Sequence, residues 1–366
     1  MNFTKHWAAT LDDYAIDLAW SPLPGDGQDK HRAGSSQQRC EGKLLAAASA
    51  AGAVTLFDAT GAVVHKLAGH DNGTNCLAWS DSGLLATGGQ DGKVKLWNAA
   101  TGVLHCEIAL GDDWVEHLAW VGRTVPGEPS SATTAQPEAS PYLFAVAGKK
   151  LVALRADGSV AHAFKDAPKT ITALSASASS PVIASAYFGG VCVWNATTFA
   201  AEKEFFYGNT IHALAWSPDG RWLVAGCQDN AVHLWAPAED LELHMSGYET
   251  KLKELSFSRD SKWLATGGGR DACVWDCTGA GPEGREPRLL PHNARTIAVA
   301  FQHQHGLLAT GAADGEFCLW SPTRKNPLIA EVKMPAAATK FSWSSDDTLL
   351  AVGTEKGSVF VFRVTD

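Results

Sequence analysis

One pattern recurs eight times along the 366 residues and limits what the chain can become. Each unit has an apolar run, a polar turn, a second apolar run, a tight turn often holding Asp, and a β-branched run. "SPDGRWLVAGCQDNAVHLWAP" (217–237), "SRDSKWLATGGGRDACVWDC" and "SSDDTLLAVGTEKGSVFVFR" are three copies. First runs end at Trp20, Trp79, Trp120, Ala176, Trp216, Phe257, Phe301 and Trp343. Third runs end in "LFD" (56–58), "LWN" (96–98), "ALR" (153–155), "VWN" (193–195), "LWA" (234–236), "VWD" (274–276), "LWS" (319–321) and "VFR" (361–363). Short alternating runs between turn signals read as strands. A fourth run follows most triplets, as in "VVHKLA" (63–68), "VLHCEI" (103–108) and "NPLIAEV" (326–332). None follows the eighth, so Asn2 to Ala8 is expected to supply its missing strand. A four-stranded sheet with two apolar faces cannot bury both alone, whereas radial stacking of such sheets buries them and protects their edges.

The period of about 40 residues, with "GH" at Gly69–His70, "GY" at Gly247–Tyr248 and "WD" at Trp275–Asp276, resembles the WD40-repeat β-propeller family over nearly the whole chain. The resemblance implies an all-β fold of four-stranded antiparallel blades, closed by the N-terminal strand. The count is eight blades, with seven as the alternative, in a single unit over 1–366. The third unit, ending in "ALR", and the fourth, whose first strand ends "LSAS", carry the weakest signals. Stretches 22–43 and 122–141 are rich in Gly, Pro and Ser. They are expected to be flexible loop insertions, which the family places on the bottom face.

The net charge of −9 disfavours nucleic acid and anionic membrane as partners, since both demand a basic face. The start lacks an apolar core of signal-peptide length, and no apolar run reaches the roughly 20 residues of a membrane helix. Eight cysteines are too sparse for a disulfide framework. Cys192, Cys273 and Cys318 each stand two residues before a Trp and read as small buried hydrophobes. A reducing, cytoplasmic setting is expected.

The resemblance implies a hydrogen-bonded chain inside a blade: a His before the first strand, a Thr on the second, an Asp in the next turn and the third-strand Trp. His70, Thr87, Asp91 and Trp97 match it, as do His292, Thr310, Asp314 and Trp320. A His beside an Asp looks catalytic, but here the structural role is expected. Tyr248 stands at the His position of the sixth blade and Tyr207 at that of the fifth, so those networks must differ.

No phosphate-cradling, zincin or nucleophile-elbow motif occurs. "GGGRDA" (267–272) lacks the following helix that a dinucleotide site needs. "HQH" (303–305) replaces a polar turn and reads as solvated, and "CVWDC" (273–277) straddles a strand exit. Residues three before each first-strand end should share a face with the small residues one before it. They are Asp17, Cys76, His117, Ala173, Ala213, Glu254, Ala298 and Lys340. Asp17, Cys76 and His117 have the donor types of a soft divalent ion such as zinc. No other cofactor is indicated.

The family implies a rigid platform whose top-face loops bind proteins or peptides. Those loops carry Trp114, Tyr187, Phe188, Phe206, Tyr207, Tyr248, Lys253 and Arg270, and aromatics and Arg dominate interface hot spots. The expectation is a non-enzymatic, monomeric scaffold. The alternatives are an accessory protein holding a metal or small ligand at the channel mouth and, third, a propeller hydrolase.

Overall fold

A computed structural model describes residues 2–22, 42–122 and 141–365. Every regular element among them is a strand. The strands form eight four-stranded antiparallel sheets, arranged as the blades of a β-propeller. First strands Ala15–Trp20, Thr74–Trp79, Val115–Val121, Ile171–Ala176, Ile211–Trp216, Leu255–Phe257, Thr296–Phe301 and Ala338–Trp343 open blades 1 to 8. Blade 8 takes its fourth strand, Asn2–Thr10, from the other end of the chain, with Asn2 opposite Thr365 and Thr10 opposite Ser358. The weak signals of the third and fourth units still produce complete sheets. Stretches 23–41 and 123–140, the bulk of the two expected insertions, lie outside the described residues.

Burial grades across each blade. In blade 2 every residue of Leu84–Gly89 after the first is buried, whereas no residue of Val103–Ala109 is. A second strand sandwiched on both faces must be small and apolar throughout, which is why these strands read "LLATGG" or "LLAAAS". The chain comprises two compact units. One spans residues up to 118 with 302–305 and 334 onward; its cores join blade 8 to blade 1 through Leu18, Phe57, Leu349 and Val361, and blade 1 to blade 2 through Leu56, Leu77 and Trp97. The other spans 119–301 with 306–333; its cores join successive sheets around Phe144 and Ile183, Val191 and Trp235, Trp222 and Leu264, and Val274 and Leu308.

A register shift interrupts the ladder of first and second strands at the same place in six blades: between Ala15 and Asp17, Thr74 and Cys76, Ile171 and Ala173, Ile211 and Ala213, Thr296 and Ala298, and Ala338 and Lys340. Such a bulge puts two residues opposite one and re-aims the extra side chain. Two of these extra residues reach the next blade: Asn75 Nδ2 donates to Val115 O at 3.2 Å, and Thr172 Oγ1 to Ile211 O at 2.6 Å. Strict alternation along the first strand, assumed from the sequence, therefore holds only after the bulge.

Candidate functional site

The polar chains inside the blades come first, because they decide which residues are available for anything else. In blade 2 the carboxylate of Asp91 accepts from His70 Nδ1 at 2.8 Å, and His70 Nε2 faces Thr87 Oγ1 at 2.7 Å. Thr87 Oγ1 in turn accepts from Trp97 Nε1 at 3.1 Å. Burial holds the His70 imidazole below its ordinary value despite Asp91, so it sits as a neutral relay rather than a base aimed at solvent.

Blade 7 departs from its expected set. Thr310 Oγ1 meets His292 Nε2 at 2.7 Å and Trp320 Nε1 at 2.6 Å, but the carboxylate facing His292 Nδ1 is Glu316, at 3.0 Å. Asp314 instead caps the Glu316 N–H and pairs with Lys333 at 2.9 Å. The longer Glu side chain reaches His292 from the strand, and Asp314 is left to the solvent side.

Tyr207 and Tyr248, expected in a docking face, are engaged inside their blades. The Tyr207 hydroxyl donates to Asp229 at 2.6–2.7 Å while its ring lies 4.3 Å from that of His233. The Tyr248 hydroxyl accepts from Trp275 Nε1 at 2.8 Å and meets Thr266 Oγ1 at 3.0 Å. Burial pushes both phenols up. Blade 5 has Ala225 where blade 2 has Thr87, since each lies ten residues before its Trp. The buried Trp235 Nε1 consequently has no acceptor. An unpaired buried donor costs about 1–3 kcal/mol. Ala225→Ser is expected to raise stability by about 1 kcal/mol, visible as a higher denaturant midpoint, whereas Ala225→Val, which offers no acceptor, should not.

Asp17, Cys76 and His117, proposed from sequence as metal donors, are not drawn together. Asp17 accepts the backbone N–H groups of Leu18 and Leu77, each at 3.0 Å, and lies 3.8 Å from Lys340 Nζ. The buried Cys76 thiol points at Val115 O, 3.6 Å away, and burial together with the Asp17 charge pushes its pKa up. A carboxylate used for blade-to-blade hydrogen bonding and a protonated thiol are poor zinc ligands. Among the described residues, the three-donor group with ligand atoms within 4.8 Å of one another is His292, Glu316 and Cys318. By donor type it suits a soft divalent ion. Yet Glu316 already accepts from Asn293 N at 2.9 Å and Asn293 Nδ2 at 3.2 Å, and burial holds the Cys318 thiol at about 12.

"HQH" is solvent-exposed, as its polarity suggests, but its backbone does more than line a turn. His303 N, Gln304 N and His305 N donate to the Asp347 carboxylate at 2.8, 2.7 and 2.9 Å, and His305 Nδ1 lies 3.0 Å from it. Three successive N–H groups around one carboxylate make an anion nest. Asp347 itself is buried and holds φ near +60°. Beside it, buried Lys43 bonds Asp346, whose carboxyl stays low because that cation and the hydroxyls of Ser344 and Thr348 outweigh burial.

Among the described residues of the unit that begins at residue 119, two accessible surfaces carry aromatic or charged side chains. The first is on blade 4. Tyr187 pairs with Gly190, and Gly190 with Phe206, so the three form one row across three strands on one face. Phe205 and Tyr207 turn to the opposite face, where Phe205 stacks on Trp235 at 5.1 Å. Phe206 is left 83 % exposed and Phe188, in the adjacent turn, 50 % exposed. Gly190 is buried with φ +157°, and a Cβ there would meet the Phe205 carbonyl at 2.1 Å, so only glycine fits the close-packed centre of the row. With strands about 4.8 Å apart, Tyr187 and Phe206 stand on either side of that glycine, roughly 10 Å from each other. Tyr187 is half-buried, and burial plus the Glu204 charge raises its phenol.

The second surface is a polar cavity of about 110 Å³ lined by Thr250, Lys251, Lys253, Glu254, Arg295 and Thr296. It lies where the loops before the first strands of blades 6 and 7 meet. Glu254 fits because Gly267 opposite it has no side chain: a Cβ would stand 2.9 Å from Glu254 Oε2. Burial raises the Glu254 pKa, while the Lys253 N–H at 3.2 Å and the charges of Arg295 and Lys253 act in the opposite sense. Arg270, on the neighbouring turn, is exposed and 3.4 Å from Asp271. Its carbonyl accepts from Thr296 Oγ1 at 2.9 Å. Arg295 escaped the sequence reading, although "NARTI" occupies the same kind of loop as "YETKLKE". In the other unit, Trp114 is 51 % exposed in the loop before blade 3, and Tyr14, also overlooked, is 52 % exposed before blade 1.

Comparison with known proteins agrees with the repeat pattern. The family described as "WD domain, G-beta repeat" matches residues 61–98, 202–236 and 241–276. The chain is 24 % identical over 270 residues to the 66 kDa stress protein of Physarum polycephalum, covering 72 % of this chain and 42 % of that one. It is 25 % identical over 194 residues to Elongator complex protein 2 of Dictyostelium discoideum, covering 45 % of this chain and 21 % of that one. It thus spans less than half the length of either relative. Among solved structures, the crystal structure of the computationally designed Ika8 protein matches over 99 % of this chain and 100 % of its own, with a TM-score of 0.73 at 19 % identity. Three stretches match the WD40 repeat, and the eight four-stranded antiparallel blades give the chain a β-propeller fold similar to that of the WD40 family.

Proposed function

We propose that the chain is a non-enzymatic scaffold that binds a peptide segment of a partner protein through loops of the top face. WD40 propellers typically act as scaffolds or regulators in protein interactions, and fold alone does not fix a role. The observation that carries the reading is the blade-4 row: an exposed Phe206 and a half-buried Tyr187 on either side of Gly190, with an exposed Phe188 beside them. Clustered exposed aromatics are the residue type that dominates interface hot spots, and they suit an apolar anchor on the partner. The His–carboxylate pairs of blades 2 and 7 are buried within their networks, which disfavours hydrolysis. A protein or peptide partner, a monomeric platform and a cytoplasmic setting belong to the same proposal.

Peptide-display selection on the wild-type protein, counter-screened on a Phe188→Ala, Phe206→Ala variant, tests it. Selected peptides should carry a large apolar residue and lose roughly tenfold or more in affinity for the variant. The unfolding midpoint should stay put, since exposed side chains contribute little to stability. Peptides that bind both proteins equally, or a selection that yields none, would remove blade 4 from the proposal.

A further inference from the structure

The polar cavity between the blade-6 and blade-7 loops is unusual for this chain. The protein carries net charge −9, yet Lys251, Lys253 and Arg295 converge on one cavity. None of the three has a carboxylate within 4.0 Å in the described residues, in contrast to Lys93, Lys333 and Arg221, whose heads are neutralised by Glu107, Asp314 and Glu239 at 2.6–2.9 Å. Cations left without counter-ions on an acidic protein are what an anionic ligand completes.

The remaining lining defines the size and kind of that ligand. Thr250 Oγ1 donates to Gly268 O at 3.1 Å and Thr296 Oγ1 to Arg270 O at 2.9 Å, so both hydroxyls brace the loops and keep only acceptor capacity toward the cavity. Glu254 supplies the sole carboxylate of the lining. It touches Lys253 through the backbone N–H rather than the ammonium. A single water needs roughly 10–15 Å³ of such space, so about 110 Å³ admits an oxyanion head group but not a nucleotide. The overall negative charge opposes a polyanionic sheet or duplex, and favours one small anionic group offered at the end of a side chain.

We propose that this cavity binds an oxyanion, a carboxylate or a phosphoryl group, presented by an acidic peptide, with Lys253 and Arg295 as the principal donors. It deepens the scaffold reading by giving the partner a charge class, and it stands on residues separate from blade 4. Arg295 offers a planar fork suited to two oxygens at once, Lys253 and Lys251 a point charge each. Glu254 limits affinity: when ionised it competes with the ligand for the same cations.

The experiment is isothermal titration at constant ionic strength, set by chloride. Three probes are used: inorganic phosphate, a tetraglutamate peptide and a phosphoserine-containing tetrapeptide of otherwise neutral sequence. The expected result is saturable binding of at least one probe. Binding should weaken by roughly tenfold or more in Lys253→Ala, Arg295→Ala and be unchanged in Lys262→Ala, an exposed lysine outside the cavity. Glu254→Gln, which keeps the shape and removes the charge, should tighten it. A preference for the phosphoserine or the tetraglutamate peptide assigns the source as phosphoryl or carboxylate. Equal binding by wild type and the double variant, no binding of any probe, or weaker binding by Glu254→Gln would overturn the proposal. So would displacement of the bound peptide by a single-stranded RNA or by anionic vesicles at equal charge concentration. Phe188→Ala, Phe206→Ala should leave phosphate binding intact, so failure on blade 4 and failure here are read separately.

Discussion

Asp347→Ala is expected to destabilise the protein by about 3–5 kcal/mol, the range for breaking a buried, charge-assisted network. The carboxylate holds three consecutive backbone N–H groups and the His305 ring. Its loss leaves those N–H groups without an acceptor and frees the turn at 303–305. Two effects add up in this variant, since Ala also adopts the observed left-handed backbone at 347 less readily than Asp does. Asp347→Asn separates them. Asn tolerates that backbone and keeps one carbonyl acceptor, so it should cost about 1–2 kcal/mol, the difference between a charged and a neutral acceptor. Urea titration followed by Trp fluorescence measures both. Equal midpoints for wild type and Asp347→Ala would mean that the nest contributes nothing to stability.

The second large effect is expected at the other end of blade 8. Removing residues 2–10 deletes the strand paired with Ser358–Thr365 and exposes a full sheet edge. It also removes Trp7, whose indole N–H donates to Ala59 O at 3.1 Å and whose ring lies 5.3 Å from Phe57 and rests on Gly61 of blade 1. The truncated protein should melt on the order of 10 °C lower, taking about 2–4 °C per kcal/mol, and should aggregate on heating. Trp7→Ala isolates the blade-1 contact and should cost about 2–3 kcal/mol, below the range for a fully buried Trp because this one is half-exposed. Thr4→Ala, on the exposed side of the same strand, should change stability by less than about 0.5 kcal/mol. If the truncation melts with the wild type, blade 8 is held without its fourth strand.

The eight units and the borrowed strand were legible in the sequence because strand, turn and strand have distinct chemistries that repeat at a fixed spacing. Roles that depend on one residue's reach were not. Glu316 displaced Asp314 because an extra methylene lets a strand carboxylate touch His292. Tyr207 and Tyr248 read as surface aromatics by loop position, while the Asp229 carboxylate, the Thr266 hydroxyl and the Trp275 indole that claim them come from elsewhere in their blades. Asp17 and Cys76 sat on the expected face, but alternation says nothing about which backbone groups of the next blade will occupy them. Phe188 and Arg295 differ in the same way. An aromatic in a tight turn announces itself, whereas a single Arg before a strand becomes a site only when a second loop brings Lys251 and Lys253 beside it.

The sharing of blade 8 between the two ends of the chain also sets an order of events on the ribosome. Asn2–Thr10 leaves the exit tunnel well before its partner strand, which follows about 350 residues later, a wait of roughly 20–70 s at ~5–20 residues per second. Throughout that interval this segment is an unpaired strand able to add to any open edge, including that of a neighbouring nascent chain. Its alternation of Thr4, Lys5 and other exposed residues with half-buried aromatics is suited to that interval, since charge on a waiting strand discourages wrong pairing. Assembly of blade 8 therefore waits until Ser358–Thr365 has been made, so a chain stalled before that strand would leave Asn2–Thr10 for chaperones to cover.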